Sequence, residues 1–115
     1  MVTFPQIREL ALSLPRTEEH LIRGRWKYRI KQIVYLAMSE DETEMGFGFP
    51  REERAALVEA EPEKFFLPRR ASDLRFQWVC ARLAALDEEE MTELVIDAWR
   101  MCVPKGVAAA YLATR

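Results

Sequence analysis

Residues 21–39 read LIRGRWKYRIKQIVYLAMS, and this alternating stretch constrains the architecture of the whole chain. Its first half has basic residues between apolar or small ones, a period of two that is typical of a β-strand with two different faces. The apolar or small positions are Ile22, Gly24, Trp26, Tyr28 and Ile30, and the basic positions are Arg23, Arg25, Lys27, Arg29 and Lys31. Residues 33–38 are rich in β-formers, so we predict a second strand and a hairpin that turns at Lys31-Gln32.

The flanking sequence predicts two more strands and four helices. The acidic cluster at 40–42 is expected to form a turn, followed by a third strand at 44–49, and a fourth strand is predicted at 75–84. The helices are predicted from the N-cap Thr3 to Pro15, at 51–60, from the N-cap Asp87 to Pro104, and at 105–112. The order α-β-β-β-α-β-α-α predicts an α+β fold, with helices packed on one face of an antiparallel sheet of about four strands.

Composition points to one globular domain whose charge is unevenly distributed. The chain has 115 residues, half of them apolar, and a formal net charge of −2. This length predicts a single domain at 1–115, and the net charge excludes an overall basic polyanion binder. Residues 1–36 carry a net charge of +4 and residues 37–68 one of −6, while residues 69–115 are balanced. The net charge therefore does not exclude a local basic surface that binds a polyanion.

The basic face of the first strand is the sharpest candidate site. Alternate residues of a strand lie about 6.6 Å apart, similar to successive phosphates of a nucleic acid, so several phosphates can be contacted at once. The predicted DNA contacts are Arg23, Arg25, Lys27 and Arg29, with Arg69, Arg70, Arg75 and Lys105 as secondary candidates. The alternative is a solvated sheet face whose charges protect an edge from aggregation. Aromatic residues, including Trp78 and Trp99, are predicted to pack in the core.

Motifs for catalysis, cofactors and membranes are missing from the sequence. We find no glycine-rich phosphate loop, no CxxC pair and no apolar run of membrane-spanning length. Cys80 and Cys102 are predicted to be buried, reduced thiols of a cytoplasmic protein. His20 follows Glu18-Glu19, but a general base needs a partnered nucleophile or a second acid, and nothing else converges on it. We therefore expect no enzyme activity, no cofactor, no metal and no membrane partner.

Several short motifs follow one another along the chain: LALSLP at 10–15 with EE at 18–19, WKYRI at 26–30, REERAAL at 51–57, PEKFF at 62–66, WV at 78–79 with RL at 82–83, DEEE at 87–90, AWR at 98–100 and VPK at 103–105. In order and spacing these motifs resemble the MmcQ/YjbR family of small bacterial proteins. The resemblance implies a CyaY-like, double-wing α+β fold and the family's usual description as a predicted DNA-binding protein. The family commonly has Gly-Gly where this chain has Lys31-Gln32. A type I′ turn needs positive φ at both positions, so this turn is expected to be longer or of another type.

The sequence is compatible with two functions from different classes. The first is non-specific DNA binding by a small, non-enzymatic bacterial protein through its basic strand face. The alternative is a protein-interaction or regulatory module, in which these charged surfaces meet an acidic or basic protein partner or mediate self-association. An enzyme would need a concave pocket that gathers His20, Glu18 and a basic residue.

Overall fold

A six-stranded antiparallel sheet is the centre of the computed structural model, which describes residues 1–115. Its strands are β1 Glu18–Ile22, β2 Arg25–Ile30, β3 Ile33–Met38, β4 Glu44–Gly48, β5 Phe65–Phe66 and β6 Trp78–Arg82, in the spatial order β1-β2-β3-β4-β6-β5. The helices are α1 Phe4–Ser13, α2 Arg51–Ala60, α3 Glu88–Arg100 and α4 Lys105–Ala113. The predicted α+β class with an antiparallel sheet and four helices is therefore confirmed. None of these helices is both long and apolar enough to cross a membrane.

The predicted number of about four strands is wrong, because two short strands lie where the sequence predicted none. Arg23 and Gly24 have φ values of 54° and 77°, and they turn the chain back so that β1 pairs with β2 as a separate edge strand. Positive φ at two successive residues is what a tight hairpin needs, and glycine adopts it without a Cβ clash. Arg23 therefore belongs to a turn, not to the basic strand face. The other unpredicted strand, β5, has only two residues and pairs with β6.

The hairpin predicted at Lys31-Gln32 is confirmed. Ile30 lies opposite Ile33, so the turn contains only two residues. Of the two, only Lys31 has a positive φ, of 54°, so the turn differs from the type I′ pattern, as the sequence led us to expect, without being longer.

The helices leave one face of the sheet uncovered. α3 packs on β3 and β4 and contacts α1, while α2 packs near β5 and β6. The buried sheet side chains beneath them include Tyr28, Leu36, Phe47 and Val79, which form one row across four strands. Alternation places the next row, Lys27, Ala37, Gly46 and Cys80, on the opposite face. That face is covered by no α-helix and is bordered by the loop at residues 67–77, which contains one 3₁₀ turn at Ala71–Asp73.

A polar cluster joins α1 to the first two strands at the edge of the core. The Arg8 guanidinium donates to both carboxylate oxygens of Glu19, at 2.7 and 3.1 Å, and the hydroxyl of Tyr28 donates to the same carboxylate at 2.8 Å. These hydrogen bonds, chiefly the one from Arg8, lower the pKa of Glu19 below its usual value.

We expect Glu19→Gln to lower the free energy of unfolding by about 1 kcal/mol at neutral pH, since Arg8 is half-exposed and solvent weakens the pair. Because the folded-state pKa of Glu19 is depressed, its contribution is present above the unfolded pKa and is lost as pH falls through the folded pKa. Urea unfolding at neutral and acidic pH should therefore show the two proteins converging at low pH. A constant difference at every pH would contradict this origin.

The two predicted N-cap residues, Thr3 and Asp87, both begin their helices, and only the first is part of a capping box. Thr3 and Gln6 form the complete capping box at the start of α1. At α3 the Asp87 carboxylate accepts from the backbone N–H of Glu90 at 2.8 Å. The Glu90 side chain does not return to the cap, because it accepts from the Lys64 ammonium at 2.8 Å instead.

Removal of the α3 N-cap should lower the free energy of unfolding measurably, because α3 contributes several residues to the core. We expect Asp87→Ala to lower the free energy of unfolding by about 1 kcal/mol, the typical loss for an N-cap. Asp87→Asn keeps an accepting oxygen and should cost less, so equal losses in urea titrations of the two variants would contradict a capping role.

Candidate functional site

A cleft of about 600 Å³ lies on the helix-free face of the sheet, and we call it the basic cleft. Its floor includes Val34, Ala37, Gly46 and Cys80, and its outer wall is formed by the loop at 67–77. The sheet is recessed here because small residues occupy neighbouring strands, with Ala37 opposite Gly46. A Cβ at Gly46 would lie 3.6 Å from the Trp78 ring and 3.8 Å from the Cys80 Sγ, so only glycine leaves the floor fully open.

Three of the predicted contact residues meet at this cleft. Arg25 and Lys27 project from β2, and Arg70 reaches it from the loop that follows β5. The Nε of Arg25 donates to the Met38 carbonyl at 3.0 Å, which holds the guanidinium at the rim. The side chains of Lys27 and Arg70 make no hydrogen bond or ion pair within the chain. Asp73 is the one acidic residue of the lining, so three basic side chains against one acidic give a formal charge of +2.

Arg69 lies next to Arg70 but its charge is already paired. It donates to both carboxylate oxygens of Glu44, at 2.9 and 3.0 Å, and stacks 4.4 Å from the centre of the Phe66 ring. These hydrogen bonds lower the pKa of Glu44, so the pair stays charged at neutral pH. Glu44 and Glu40 line a smaller cleft of about 340 Å³ that adjoins the basic cleft and shares both Arg25 and Arg70 with it. Carboxylates therefore bound the basic surface on this side.

The remaining predicted contacts lie outside the basic cleft. Arg23 is in the β1–β2 turn, and Arg29 is further along the same strand face, opposite Glu18 of β1, with a buried Nε that has no partner. The Arg75 guanidinium stacks 4.8 Å from the centre of the Phe76 ring. Lys105 begins α4 and lines a separate cleft of about 690 Å³ near the end of α3, which we call the helix-side cleft. The structure therefore does not join all eight residues into one surface.

The residues considered for catalysis do not line the basic cleft either. His20 faces Lys27 across the β1–β2 pair, and its Nε2 lies 3.4 Å from a carboxylate oxygen of Glu18. The pocket that an enzyme would need around His20 and Glu18 is therefore not the basic cleft. No group of three or more His, Cys, Asp or Glu residues is arranged to hold a metal ion. Both cysteines are free and half-buried, and burial raises the pKa of Cys80 to about 11.

Sequence reasoning missed the aromatic part of the cleft. Trp78, predicted to pack in the core, is half-buried: it packs against the core cluster but also lines the cleft, whereas its neighbour Val79 is fully buried. Phe76 lines the cleft too, and 46% of it is exposed. The alternation along β6 contained the signal, because Trp78 shares a face with Cys80 and Arg82 while Val79 and Ala81 face the core.

Comparison with known proteins identifies the family. The YjbR family model matches residues 12–101, which is most of the chain. The chain is similar to the crystal structure of the Deinococcus radiodurans protein DR2400, described by the family-model domain DUF419. The match covers 92% of this chain and 82% of that chain. The TM-score is 0.75 and the sequence identity 18%, so this likeness shows the fold alone. Among curated proteins, none matches the chain. The match over residues 12–101 places the chain in the YjbR family, as its motifs predicted.

Proposed function

We propose that the protein binds DNA non-specifically, with the phosphate backbone contacting the basic cleft. The observation that carries this proposal is the convergence of Arg25, Lys27 and Arg70 from two separate segments, two of them without any partner in the chain. An unpaired cation on a surface gives up only water and counterions when it binds a phosphate, so these residues are ready to bind. Nothing in the cleft resembles a recognition helix, so phosphate contacts dominate and sequence preference is weak.

This proposal is narrower than the one drawn from the sequence. Three contacts replace the eight predicted from the sequence; Arg23, for example, lies in a turn and Arg69 is paired with Glu44. Arg29 remains a flanking contact on the same strand face. Gln32 and Ile33, where the β2–β3 hairpin turns, line the cleft, so this hairpin tip would touch the DNA. We also propose that the fold is of the CyaY-like, double-wing type and that the protein has a non-enzymatic role.

The salt dependence of DNA affinity tests the proposal. Three phosphate contacts predict that log K falls with log salt at a slope of about −2.7 for a duplex and about −2.1 for a single strand. We would measure fluorescence anisotropy of labelled oligonucleotides of both kinds, starting at about 50 mM salt. Absence of binding to both at that concentration, or a slope near zero, would reject DNA as the partner.

The alternative function, a protein-interaction module, is favoured by one observation. The edge strand β1 has no neighbour on its outer side and exposes 56% of Leu21 together with part of Ile22. Edges of this kind pair with other strands unless they are protected. Light scattering across a range of salt concentrations tests for self-association, and a monomer under every condition would reject that form of the alternative.

A further inference from the structure

We infer that the basic cleft holds one unstacked nucleobase, so that single-stranded DNA is the preferred substrate. This inference rests on the proposed function and names the form of DNA that the site takes. The cleft combines a basic rim, which suits phosphates, with an apolar floor and two aromatic side chains, which do not. Positive charge together with aromatic rings is the combination that binds single strands, because every base has a face that can stack.

The size and the apolar floor of the recess suit a flat apolar group better than a phosphate. A volume of about 600 Å³ lies within the range of small-molecule sites, and Val34, Ala37 and Gly46 make the floor apolar. The Cβ that Gly46 lacks would touch Trp78, so a planar ring entering the space above this glycine meets the indole. A phosphate bound at the rim would leave this floor in contact with water and gain nothing from it.

Phe76 is the one aromatic residue among the nine large apolar side chains that are exposed at the surface. It lines the cleft together with Gln32 and Ile33 of the β2–β3 hairpin tip. The Arg75 guanidinium stacks 4.8 Å from the centre of this ring, which adds a cation beside the three basic residues of the lining. An exposed phenyl group next to unpaired cations is what a base and its phosphates would contact together.

The position of Asp73 in the lining disfavours a site that binds phosphate alone. Its carboxylate lines the cleft without a hydrogen bond or ion pair from the protein, and it would repel a phosphate placed beside it. The same carboxylate can accept a hydrogen bond from the amino group of a base. In a duplex the bases are stacked and paired, and a base must be flipped out before it can enter such a recess.

Two cleft variants that leave the charge unchanged test this inference. Phe76→Ala removes an exposed ring, and Gly46→Val fills the floor with a residue that suits a strand. We would compare anisotropy titrations of a labelled single strand of about ten bases with those of a duplex of the same sequence. Thermal melting, followed by circular dichroism, would verify that both variants fold. If Gly46→Val does not fold, Phe76→Ala still tests the inference.

The expected result is that the wild type binds the single strand about tenfold more tightly than the duplex at equal salt. Each variant should weaken single-strand binding about tenfold and duplex binding much less, with the salt slope of each form unchanged, because the phosphate contacts are kept. Equal wild-type affinities for both forms, or unchanged single-strand affinity in the folded variants, would overturn base insertion and leave phosphate binding intact. Failure of the wild type to bind either form would instead reject the proposed function itself.

Discussion

Trp99→Ala is expected to lower the free energy of unfolding by about 3–5 kcal/mol, a large part of the stability of a domain of this size. Trp99 is fully buried at the centre of the helical layer, with the Tyr111 ring of α4 packed against it at 5.2 Å between ring centres. Its Nε1 also donates to the Pro15 carbonyl at 2.9 Å, which ties α3 to the end of α1 across 84 residues of sequence. Alanine would leave a cavity and an unsatisfied carbonyl together.

Urea denaturation followed by circular dichroism measures this loss. Phe76→Ala is the control, because it also removes an aromatic ring but from an exposed position, and it should cost less than about 1 kcal/mol. Trp99→Phe refills most of the volume without the N–H donor, so its loss should fall between the two. If Trp99→Ala were no less stable than Phe76→Ala, the packing described for α1, α3 and α4 would be incorrect.

Lys27→Glu combined with Arg70→Glu is expected to weaken DNA binding by at least about tenfold and to reduce the duplex salt slope from about −2.7 to about −0.9. Two of the three proposed contacts are lost, and the new carboxylates repel the backbone. Neither side chain makes a hydrogen bond or ion pair within the chain, so we expect the fold to survive the substitutions.

The chain provides a matched control for this double variant. Lys105→Glu combined with Arg100→Glu makes the same two kinds of substitution at the helix-side cleft, where both residues are exposed. Because the net charge changes equally, any general electrostatic effect appears in both proteins. We expect the control to retain the wild-type slope, and a similar loss in the two variants would mean that the basic cleft is not where DNA binds.

The helices were predictable because their signals are local. The capping box at Thr3 and the cap at Asp87 are read within a few residues, and both are present in the structure. The alternation at 25–30 likewise placed Arg25, Lys27 and Arg29 on one face. It failed at Arg23-Gly24, because a basic residue followed by a small one continues the alternation equally well through a strand or through a tight turn.

The composition of the cleft depends on contacts that no local pattern contains. Arg69 and Arg70 are neighbours with the same side chain, yet only Arg69 meets Glu44, which lies 25 residues away in sequence. The two residues Phe65-Phe66 are too few to show an alternating pattern, so β5 cannot be predicted locally and is defined by its pairing with β6. Which arginine is left free for a ligand is therefore a property of the tertiary structure.

An NMR titration with a single-stranded oligonucleotide would locate the DNA on the protein, residue by residue. We expect the amide shifts to change along β2, at Gly46 and through residues 70–78, while those around Arg100 and Lys105 stay in place. The changes should fade as salt is added, since phosphate contacts dominate the affinity. Shift changes confined to the helix-side cleft, or none at low salt, would contradict DNA binding at the basic cleft.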